Sequence, residues 1–211
     1  MEALNGTVFW LGGSPCSGKS SISRILAGRF DLDVYHVDEA LETHMKRLDP
    51  VHHPALTKWS ESSWDERWMQ PIDNLVQNVI ACYQKHLALI LEDILEISKR
   101  KSLLVEGNAL LPRPLASVLT NRSQAIWLIS SADFQRAQYS ERKWASTIVA
   151  QCSDPETAFD NWMERDIRFA EWVEAEATAL NLTMLKVDGN RTLEENAEAI
   201  ATHFQLAGDH L

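Results

Sequence analysis

The sequence predicts an α/β fold in which a parallel sheet carries helices on both faces. Five short apolar runs, rich in strand-forming residues, alternate with helical patterns along the chain. Strands that alternate with helices are joined by crossovers and therefore run parallel. The chain has 211 residues, of which 45% are hydrophobic and 24% charged. This length and composition suit one globular domain, with or without a sizeable insertion.

The predicted strands are short and end at turn-forming residues. The first is followed by Gly12 and Gly13, and the last by Asp188 and Gly189. In chain order, the predicted strands cover residues 7–11, 33–37, 103–105, 125–129 and 182–187.

Apolar residues at helical spacing predict the helices between these strands. They recur through residues 20–30, 156–180 and 192–204. The last of these segments opens with Thr192 and Glu195, which form a capping-box pattern.

The longest helical pattern lies between the second and third strands. Residues 71–101 carry apolar side chains at i, i+3, i+4 and i+7, which predicts an amphipathic helix roughly 40 Å long. Its apolar stripe must be covered by the sheet, by a cap or by a second copy of the chain, so a homodimer stays open. Residues 39–70 ahead of it are less regular and rich in His and Trp. We interpret residues 39–101 as an inserted helical cap on a chain that is otherwise a single domain, 1–211.

Net charge and cysteine spacing exclude several classes of protein. The 20 Lys and Arg face 30 Asp and Glu, a net charge of −10, which leaves no broad basic surface for nucleic acid or an anionic membrane. The three cysteines are far apart and match neither a disulfide framework nor a metal motif. The sequence shows no signal-peptide pattern and no apolar run of membrane-spanning length. We therefore expect a cytoplasmic protein with reduced thiols.

One motif carries specific chemistry. Residues 13–20, GSPCSGKS, match G-x-x-x-x-G-K-[ST] between a predicted strand and a predicted helix. Glycines let successive backbone N–H groups point at phosphate oxygens, and the start of the helix adds positive potential. Lys19 would bridge the β- and γ-phosphates, and the Ser20 hydroxyl would hold Mg²⁺. The predicted nucleotide-binding residues are Gly13, Ser14, Pro15, Cys16, Ser17, Gly18, Lys19, Ser20 and Ser21.

With this motif in place, the chain resembles P-loop kinases of the nucleoside-monophosphate-kinase-like group. That group includes adenylate kinase, shikimate kinase, gluconate kinase and chloramphenicol phosphotransferase. The resemblance rests on GGSPCSGKSS after the first strand, VDE after the second, VEG at the third, an Arg-bearing stretch after the fourth, and KVDGN with TLEENAEAI at the end. It covers most of the chain, although only the first segment is a specific motif.

The resemblance implies a three-layer αβα P-loop NTPase fold with a five-stranded parallel sheet in the order 2-3-1-4-5. It also implies that residues 39–101 form a substrate-binding insertion and that residues 132–170 form the lid region. ATP and Mg²⁺ are the implied cofactors, and a small molecule is the implied acceptor.

Two carboxylates fall where parallel strands open onto a ligand crevice. Asp38 follows the second strand, where it could accept a proton from an attacking hydroxyl, or hold a metal-bound water. It could equally cap a helix starting near residue 39, and these roles are compatible. Glu106 ends the third strand, where it could orient Mg²⁺, contact the substrate or pair with a nearby cation. The predicted metal ligands are thus Ser20, Asp38 and Glu106.

Four arginines after the fourth strand are candidates for stabilising the transferred phosphoryl group. Two of them, Arg165 and Arg168, lie in the predicted helix 156–180. They are expected to project from the face of this helix that is opposite its apolar stripe. The alternative for these residues is pairing with acids one helical turn away, and Arg136 could instead pack on adenine. The candidates are Arg136, Arg142, Arg165 and Arg168.

The acceptor is expected to bind residues of the cap and of the mouth of the crevice. Trp64 and Trp68, with Arg67 between them, could stack a substrate and hold an anionic group, or could form the core of the cap. Arg113 could bind an anionic acceptor, or it could be a surface residue without a role in binding. Asp38 and Glu106 complete the predicted substrate contacts.

The sequence therefore predicts an ATP-dependent phosphotransferase that acts on a small molecule, with a hydroxyl as the favoured acceptor. A nucleoside monophosphate kinase is one alternative, and a nucleotide-binding regulatory or partner-binding protein with little turnover is another. A kinase acting on polynucleotide ends is disfavoured by the negative net charge.

Overall fold

The computed structural model describes residues 7–97 and 101–206, with only the backbone described at Ala55. Its five strands are all parallel and lie side by side in the order β2-β3-β1-β4-β5, as predicted. The strands are β1 (Val8–Gly13), β2 (Asp33–His36), β3 (Leu103–Glu106), β4 (Ala125–Ser130) and β5 (Met184–Val187).

Helices connect these strands in the pattern expected from the sequence. The helices are α1 (Lys19–Phe30), α2 (Val37–Met45), α3 (Pro54–Glu61), α4 (Trp64–Trp68), α5 (Ile72–Ile97), α6 (Pro112–Ala116), α7 (Ala132–Ser140), α8 (Lys143–Val149), α9 (Pro155–Ala179) and α10 (Leu193–Phe204). The capping box of Thr192 and Glu195 is present at the start of α10, as predicted.

The central strands are covered on both faces, which explains why they read as continuous apolar runs. Every residue of β1, β3 and β4 is buried. Side chains alternate along a strand, so Phe9 and Leu11 face the layer of α1 and α10, whereas Trp10 faces the layer of α5 and α9. This arrangement is the three-layer αβα fold predicted from the sequence.

The strand boundaries differ from the prediction by one or two residues, and tertiary contacts set the two largest differences. β1 runs on to Gly13 because its two glycines pair with Trp127 and Leu128 of β4. β5 starts at Met184, since the backbone N–H of Leu182 donates to Ala177 and closes the end of α9.

The long helix α5 is covered within the chain. Its residues Val79, Leu87, Ile90 and Ile94 belong to the core cluster on one face of the sheet. This part of the stripe is covered within the chain, whereas Leu95 is exposed, and a homodimer stays a prediction. The predicted helix also included residues 98–100, which lie outside the described residues. Assignment of residues 39–101 to a cap remains a prediction, and α5 serves the sheet as well.

Residues 39–70 are more regular than expected, because they contain α3, α4 and most of α2. A separate cluster, which includes Trp68 of α4 and Trp162 of α9, joins this region to α7 and α8. Within the described residues, no helix combines the length and apolarity that a bilayer span requires.

Candidate active site

The predicted phosphate-binding loop joins β1 to α1 at the carboxyl edge of the sheet. Gly13 and Gly18 have φ values of +122° and +83°, and Cys16 also lies in the left-handed region at 60°. A Cβ at Gly13 would lie 2.0 Å from the carbonyl oxygen of Leu128. Only glycine fits this close approach, which lets the loop curl beside the sheet.

Two serines fix the loop to the end of β4. The hydroxyls of Ser14 and Ser130 lie 2.8 Å apart, and the backbone N–H of Ser130 donates to Ser14 Oγ at 2.9 Å. Ser130 Oγ donates in turn to the carbonyl oxygen of Pro15 at 2.9 Å. The sequence analysis did not identify Ser130 as part of the site, because the pairing joins residues 116 positions apart.

The N-terminus of α1 leaves backbone N–H groups available to an anion. Gly18 provides no side-chain cap, and the first turn of α1 holds no acidic residue. No acceptor among the described residues takes the backbone N–H of Cys16, Ser17 or Gly18. Uncapped N–H groups at a helix start bind phosphate well, so this loop fits the phosphates of a nucleotide.

Lys19 is buried beneath the same loop. Its ammonium donates to the carbonyl oxygen of Ser14 at 2.6 Å and to Ser17 Oγ at 3.2 Å. Burial lowers the pKa of Lys19, while the carboxylates of Glu106 and Asp38 oppose this shift. A phosphate anion beside Lys19 would stabilise its charged form further.

The two predicted carboxylates lie close to Lys19. Glu106 is buried, and its Oε1 lies 2.7 Å from His36 Nδ1, because β3 lies between β2 and β1 in the sheet. Burial raises the pKa of Asp38, the charge of Lys19 lowers it, and Glu106 raises it. Asp38 is nevertheless exposed to solvent.

The structure corrects the alternative in which Asp38 caps a helix. Helix α2 begins at Val37 with His36 as its N-cap, so Asp38 is already the second helical residue. Gly107 permits this placement, because a Cβ there would lie 2.4 Å from Val37 Cβ. The first turn of α2 therefore packs on the end of β3, which holds Asp38 beside Lys19 and Glu106.

Arg142 is the candidate arginine that acts on the loop itself. Burial raises the pKa of Cys16, and the positive charge of Arg142 is the strongest influence that opposes this shift. The Arg142 guanidinium lies 5.4 Å from the ring of Tyr139 and 5.9 Å from that of Trp144. These rings hold a cation near the phosphate-binding loop.

Arg165 is mostly covered, with a side chain 13% exposed, contrary to the expectation that it projects from the polar face of its helix. Its Nε donates to Asp166 Oδ1 at 2.8 Å, and its guanidinium lies 4.6 Å from the ring centre of Trp68. Asp166 also accepts hydrogen bonds from Tyr139 and Trp162 at 2.9 and 3.1 Å. The face of α9 that carries Arg165 is covered by α4, which the helical pattern alone did not indicate.

Three other predicted arginines are exposed and engaged by carboxylates. Arg168 bonds Glu164 at 2.8 Å, the one-turn pairing that was its alternative, and Asp73 of α5 at 2.7 Å. Arg113 makes two hydrogen bonds to Glu176 at 2.7 and 2.8 Å. Arg136 approaches Asp160 at 3.8 Å. Their roles toward phosphate or substrate stay predictions.

The aromatic residues of the cap have two different environments. Trp68 is buried and stacks on Trp162 with ring centres 4.4 Å apart, so it belongs to a core cluster. The Arg67 guanidinium lies between the rings of Trp59 and Trp64, at 4.6 and 4.8 Å from their centres.

A cavity of about 150 Å³ opens beside these residues, between α3, α4, α5 and α9. Lys58, Arg67 and Arg165 line it. Near it, burial raises the pKa of Tyr83, and the charges of Arg165 and Asp38 act on it in opposite directions. Tyr83 is therefore affected by the charge of Arg165, which lines the cavity, and by the charge of Asp38.

The sequence analysis missed Tyr83 and Asn108 as candidate site residues. Asn108 opposes the rise in the pKa of Tyr83, and its Oδ1 is buried without a partner among the described residues. Tyr83 looked like one more residue of the apolar stripe of α5. Asn108 directly follows VEG at the crevice edge of the sheet, and this position could have identified it as a candidate site residue.

Residues 7–97 and 101–206 contain no group of three or more His, Cys, Asp or Glu side chains placed to hold a metal ion. Mg²⁺ in nucleotide sites is bound by one or two carboxylates together with phosphates and waters. Assignment of Ser20, Asp38 and Glu106 to Mg²⁺ therefore stays a prediction.

Comparison with solved structures finds chains of similar architecture. TT1252 from Thermus thermophilus overlays with a TM-score of 0.54 at 13% identity, covering 97% of this chain and 100% of that chain. Shikimate kinase from Aquifex aeolicus gives 0.48 at 16% identity, covering 94% and 96%. The tunicamycin resistance protein of Deinococcus radiodurans gives 0.49 at 15% identity, covering 96% and 98%.

No family model and no curated protein matches the sequence of this chain. At identities below 20%, the similarity to solved structures is one of fold. The parallel sheet in the order 2-3-1-4-5, with the phosphate-binding loop after β1, agrees with this similarity. The chain therefore has the three-layer αβα P-loop NTPase fold predicted from the sequence.

Proposed function

We propose that the protein is an ATP-dependent phosphotransferase that moves the γ-phosphoryl group to a hydroxyl of a small acceptor. The observation that carries this proposal is the position of Asp38 in the first turn of α2, packed on the end of β3, where its charge and that of Lys19 act on each other. A nucleotide-binding loop alone serves many functions, whereas a carboxylate beside it supplies a base for an attacking hydroxyl.

In this proposal, the backbone N–H groups of the loop and Lys19 bind the phosphates of ATP. Ser20 and Glu106 would hold Mg²⁺, which neutralises phosphate charge when it is bound, and Asp38 stays free to act as the base. Asp38 accepts the proton of the acceptor hydroxyl. Its raised pKa suits this role, because a base is more effective when its pKa approaches the working pH.

Arg142 and Arg165 are the favoured residues for stabilising charge on the transferred group. Arg142 acts on the loop electrostatically, and Arg165 lies between the cavity and the Tyr139–Asp166 pair. Cations held by fixed partners need little reorganisation during the reaction. The three exposed arginines are already paired with carboxylates and are less favoured.

The first test is ADP release from Mg·ATP with a panel of acceptors and a blank without acceptor. The panel holds nucleoside monophosphates, nucleosides, sugar acids and hydroxylated antibiotics. We expect acceptor-dependent ADP with a hydroxyl acceptor. Turnover only with nucleoside monophosphates would instead support the alternative kinase, and ADP release that ignores every acceptor would support a nucleotide-binding protein with little turnover.

Asp38→Asn tests the proposed base. We expect turnover to fall by about 10²- to 10⁴-fold, the usual contribution of a general base, while ATP binding measured by calorimetry is retained. Glu39→Gln is the matched control, because it removes the neighbouring exposed carboxylate of α2. Equal turnover in both variants and the wild type would contradict the role of Asp38.

A further inference from the structure

Helix α2, which carries Asp38, buries only two of its nine residues, Val37 and His44. These two residues are seven positions apart, so they lie on one face of the helix and are separated by about 10.5 Å along its axis. Val37 packs on Gly107 and belongs to the apolar core, whereas His44 is a polar side chain that is 1% exposed. The buried contact at the far end of α2 is therefore polar.

Both ring nitrogens of His44 are engaged by side chains of α5. Its Nε2 donates to Asp93 Oδ2 at 2.9 Å, and its Nδ1 accepts from His86 Nε2 at 2.9 Å. On the same helix, Leu87 and Ile90 belong to the core cluster on one face of the sheet. The helix that holds His44 is therefore itself packed on the sheet, independently of α2.

The Asp93 carboxylate accepts two further hydrogen bonds around this contact. Its Oδ2 accepts from the Tyr35 hydroxyl of β2 at 2.7 Å, and its Oδ1 accepts from Arg47 Nη2 at 3.3 Å. Burial raises the pKa of Asp93, but the hydrogen bonds from Tyr35, His44 and Arg47 outweigh burial and bring this pKa below its ordinary value. Asp93 is therefore a charged acceptor at neutral pH, and hydrogen bonds to charged acceptors are the stronger ones.

The two bonds of His44 restrain α2 in a way that apolar packing does not. Hydrogen bonds are directional, so a pair of them opposes rotation of the helix about its own axis. A side-chain carboxylate lies about 5 Å from a helix axis, and a rotation of about 10° moves it by about 1 Å. A misplacement of this size can slow a reaction by about 100-fold.

We propose that His44 is a positioning residue of the phosphotransferase, whose bonds to Asp93 and His86 fix α2 and thereby the Asp38 carboxylate relative to Lys19. The inference rests on the function proposed above and adds to it a residue outside the nucleotide and acceptor sites. His44 acts through Asp38, and its own hydrogen bonds take no part in the proton transfer.

Hydrogen–deuterium exchange tests the attachment of α2 without using turnover. His44→Phe keeps an aromatic ring at this position but removes both hydrogen bonds. We expect the backbone amides of residues 37–45 to exchange about 10-fold faster than in the wild type, because the bonds that hold the helix are lost. Residues 8–30, which form β1, the loop and α1, should keep their wild-type rates.

ADP release with an acceptor from the panel tests the effect on the reaction. His44→Phe should lower kcat by about 10- to 100-fold and leave KM for ATP unchanged, because the loop and Lys19 bind the phosphates. His44→Gln should restore most of kcat, since its amide can donate to Asp93 and accept from His86. If His44→Phe does not fold, His44→Asn replaces it, because its shorter amide does not reach both partners.

Tyr35→Phe is the matched control for these variants. It removes one hydrogen bond to the same carboxylate and leaves both bonds of His44 in place. We expect lower stability in urea, while kcat and the exchange rates of residues 37–45 stay close to those of the wild type.

Three results would overturn the role of His44: wild-type exchange of residues 37–45 in the variant without its hydrogen bonds, equal losses of kcat in that variant and Tyr35→Phe, or equal losses in that variant and His44→Gln. Faster exchange with unchanged kcat would keep the phosphotransferase and contradict the positioning of Asp38. Failure of the proposed function looks different. A wild type without acceptor-dependent ADP release would contradict the phosphotransferase, and the exchange rates would still decide whether His44 fixes α2.

Discussion

Individual residues position the candidate site through very close contacts. Gly107 is the clearest case, because the first turn of α2 packs directly over its Cα atom. Asp38 belongs to that turn, so the size of the residue at position 107 determines where the carboxylate lies. Gly107, although it has no side chain, thus determines the position of Asp38, a catalytic candidate in α2.

Gly107→Ala tests this contact. The added Cβ would lie 2.4 Å from Val37 Cβ, so α2 must shift, and we expect a destabilisation of about 1–3 kcal/mol with reduced turnover. Urea unfolding and ADP release are the two measurements.

Gly28→Ala is the control for the same chemical change. Gly28 lies inside α1 with no atom within 4 Å of an added Cβ. Alanine is the better helix former, so this variant should be more stable by about 1 kcal/mol. Destabilisation by equal amounts in both variants would show that the contact with Val37 is not the cause of the loss of stability.

At the scale of elements, α9 links α7 to α4 through a buried polar group. Asp166 accepts hydrogen bonds from Tyr139 of α7 and Trp162 of α9, and it pairs with Arg165. Arg165 in turn lies against Trp68 of α4. The buried carboxylate therefore joins α7 to α9, and Arg165 extends the contact to α4.

Asp166→Asn should be strongly destabilising, by about 3–5 kcal/mol, because it leaves the mostly covered Arg165 without its counter-charge. Chemical denaturation measures the loss. Glu164→Gln is the control, since it breaks an exposed pair on the same helix and should cost less than about 1 kcal/mol. A small loss in Asp166→Asn would mean that solvent reaches Arg165.

At the scale of the whole molecule, a buried histidine pair couples stability to pH. His44 Nε2 donates to Asp93 Oδ2 at 2.9 Å, since a carboxylate only accepts. His44 Nδ1 then accepts from His86 Nε2 at 2.9 Å, and Tyr35 donates to the same carboxylate at 2.7 Å. These contacts connect β2, α2 and α5, so they depend on the complete fold.

The free energy of unfolding should fall in acid because of His86. Burial, and then the charge of His44, lower the pKa of His86 from 6.5 to about 4. The unfolded chain therefore binds a proton at higher pH than the folded chain. The contribution of His86 is complete above pH 6.5 and declines as the pH falls, by roughly 3 kcal/mol at pH 4.

Urea unfolding at several pH values, with His86→Gln, measures this contribution. Glutamine can still donate to His44 but does not titrate, so the decline between pH 6.5 and 4 should be smaller. His52→Gln removes an exposed histidine and should keep the wild-type dependence. Parallel curves for His86→Gln and the wild type would assign the acid sensitivity to other groups.

The sequence by itself determined the αβα fold class, the phosphate-binding loop and the capping box of α10. These features depend on residues that are close along the chain. Periodic apolar spacing predicts an element wherever the element is buried, and the loop motif contains its own glycines, lysine and serine. The order of the sheet followed from resemblance, and the structure confirms it.

Only the tertiary structure decided the surroundings of the site side chains. Asp38 lies beside Lys19 because α2 packs on Gly107, and Arg165 is mostly covered because α4 lies over it. Arg67 lies between two indoles that belong to different helices. Each of these contacts joins elements whose relative placement depends on the packing of the whole core, and helical or strand periodicity carries no information about it.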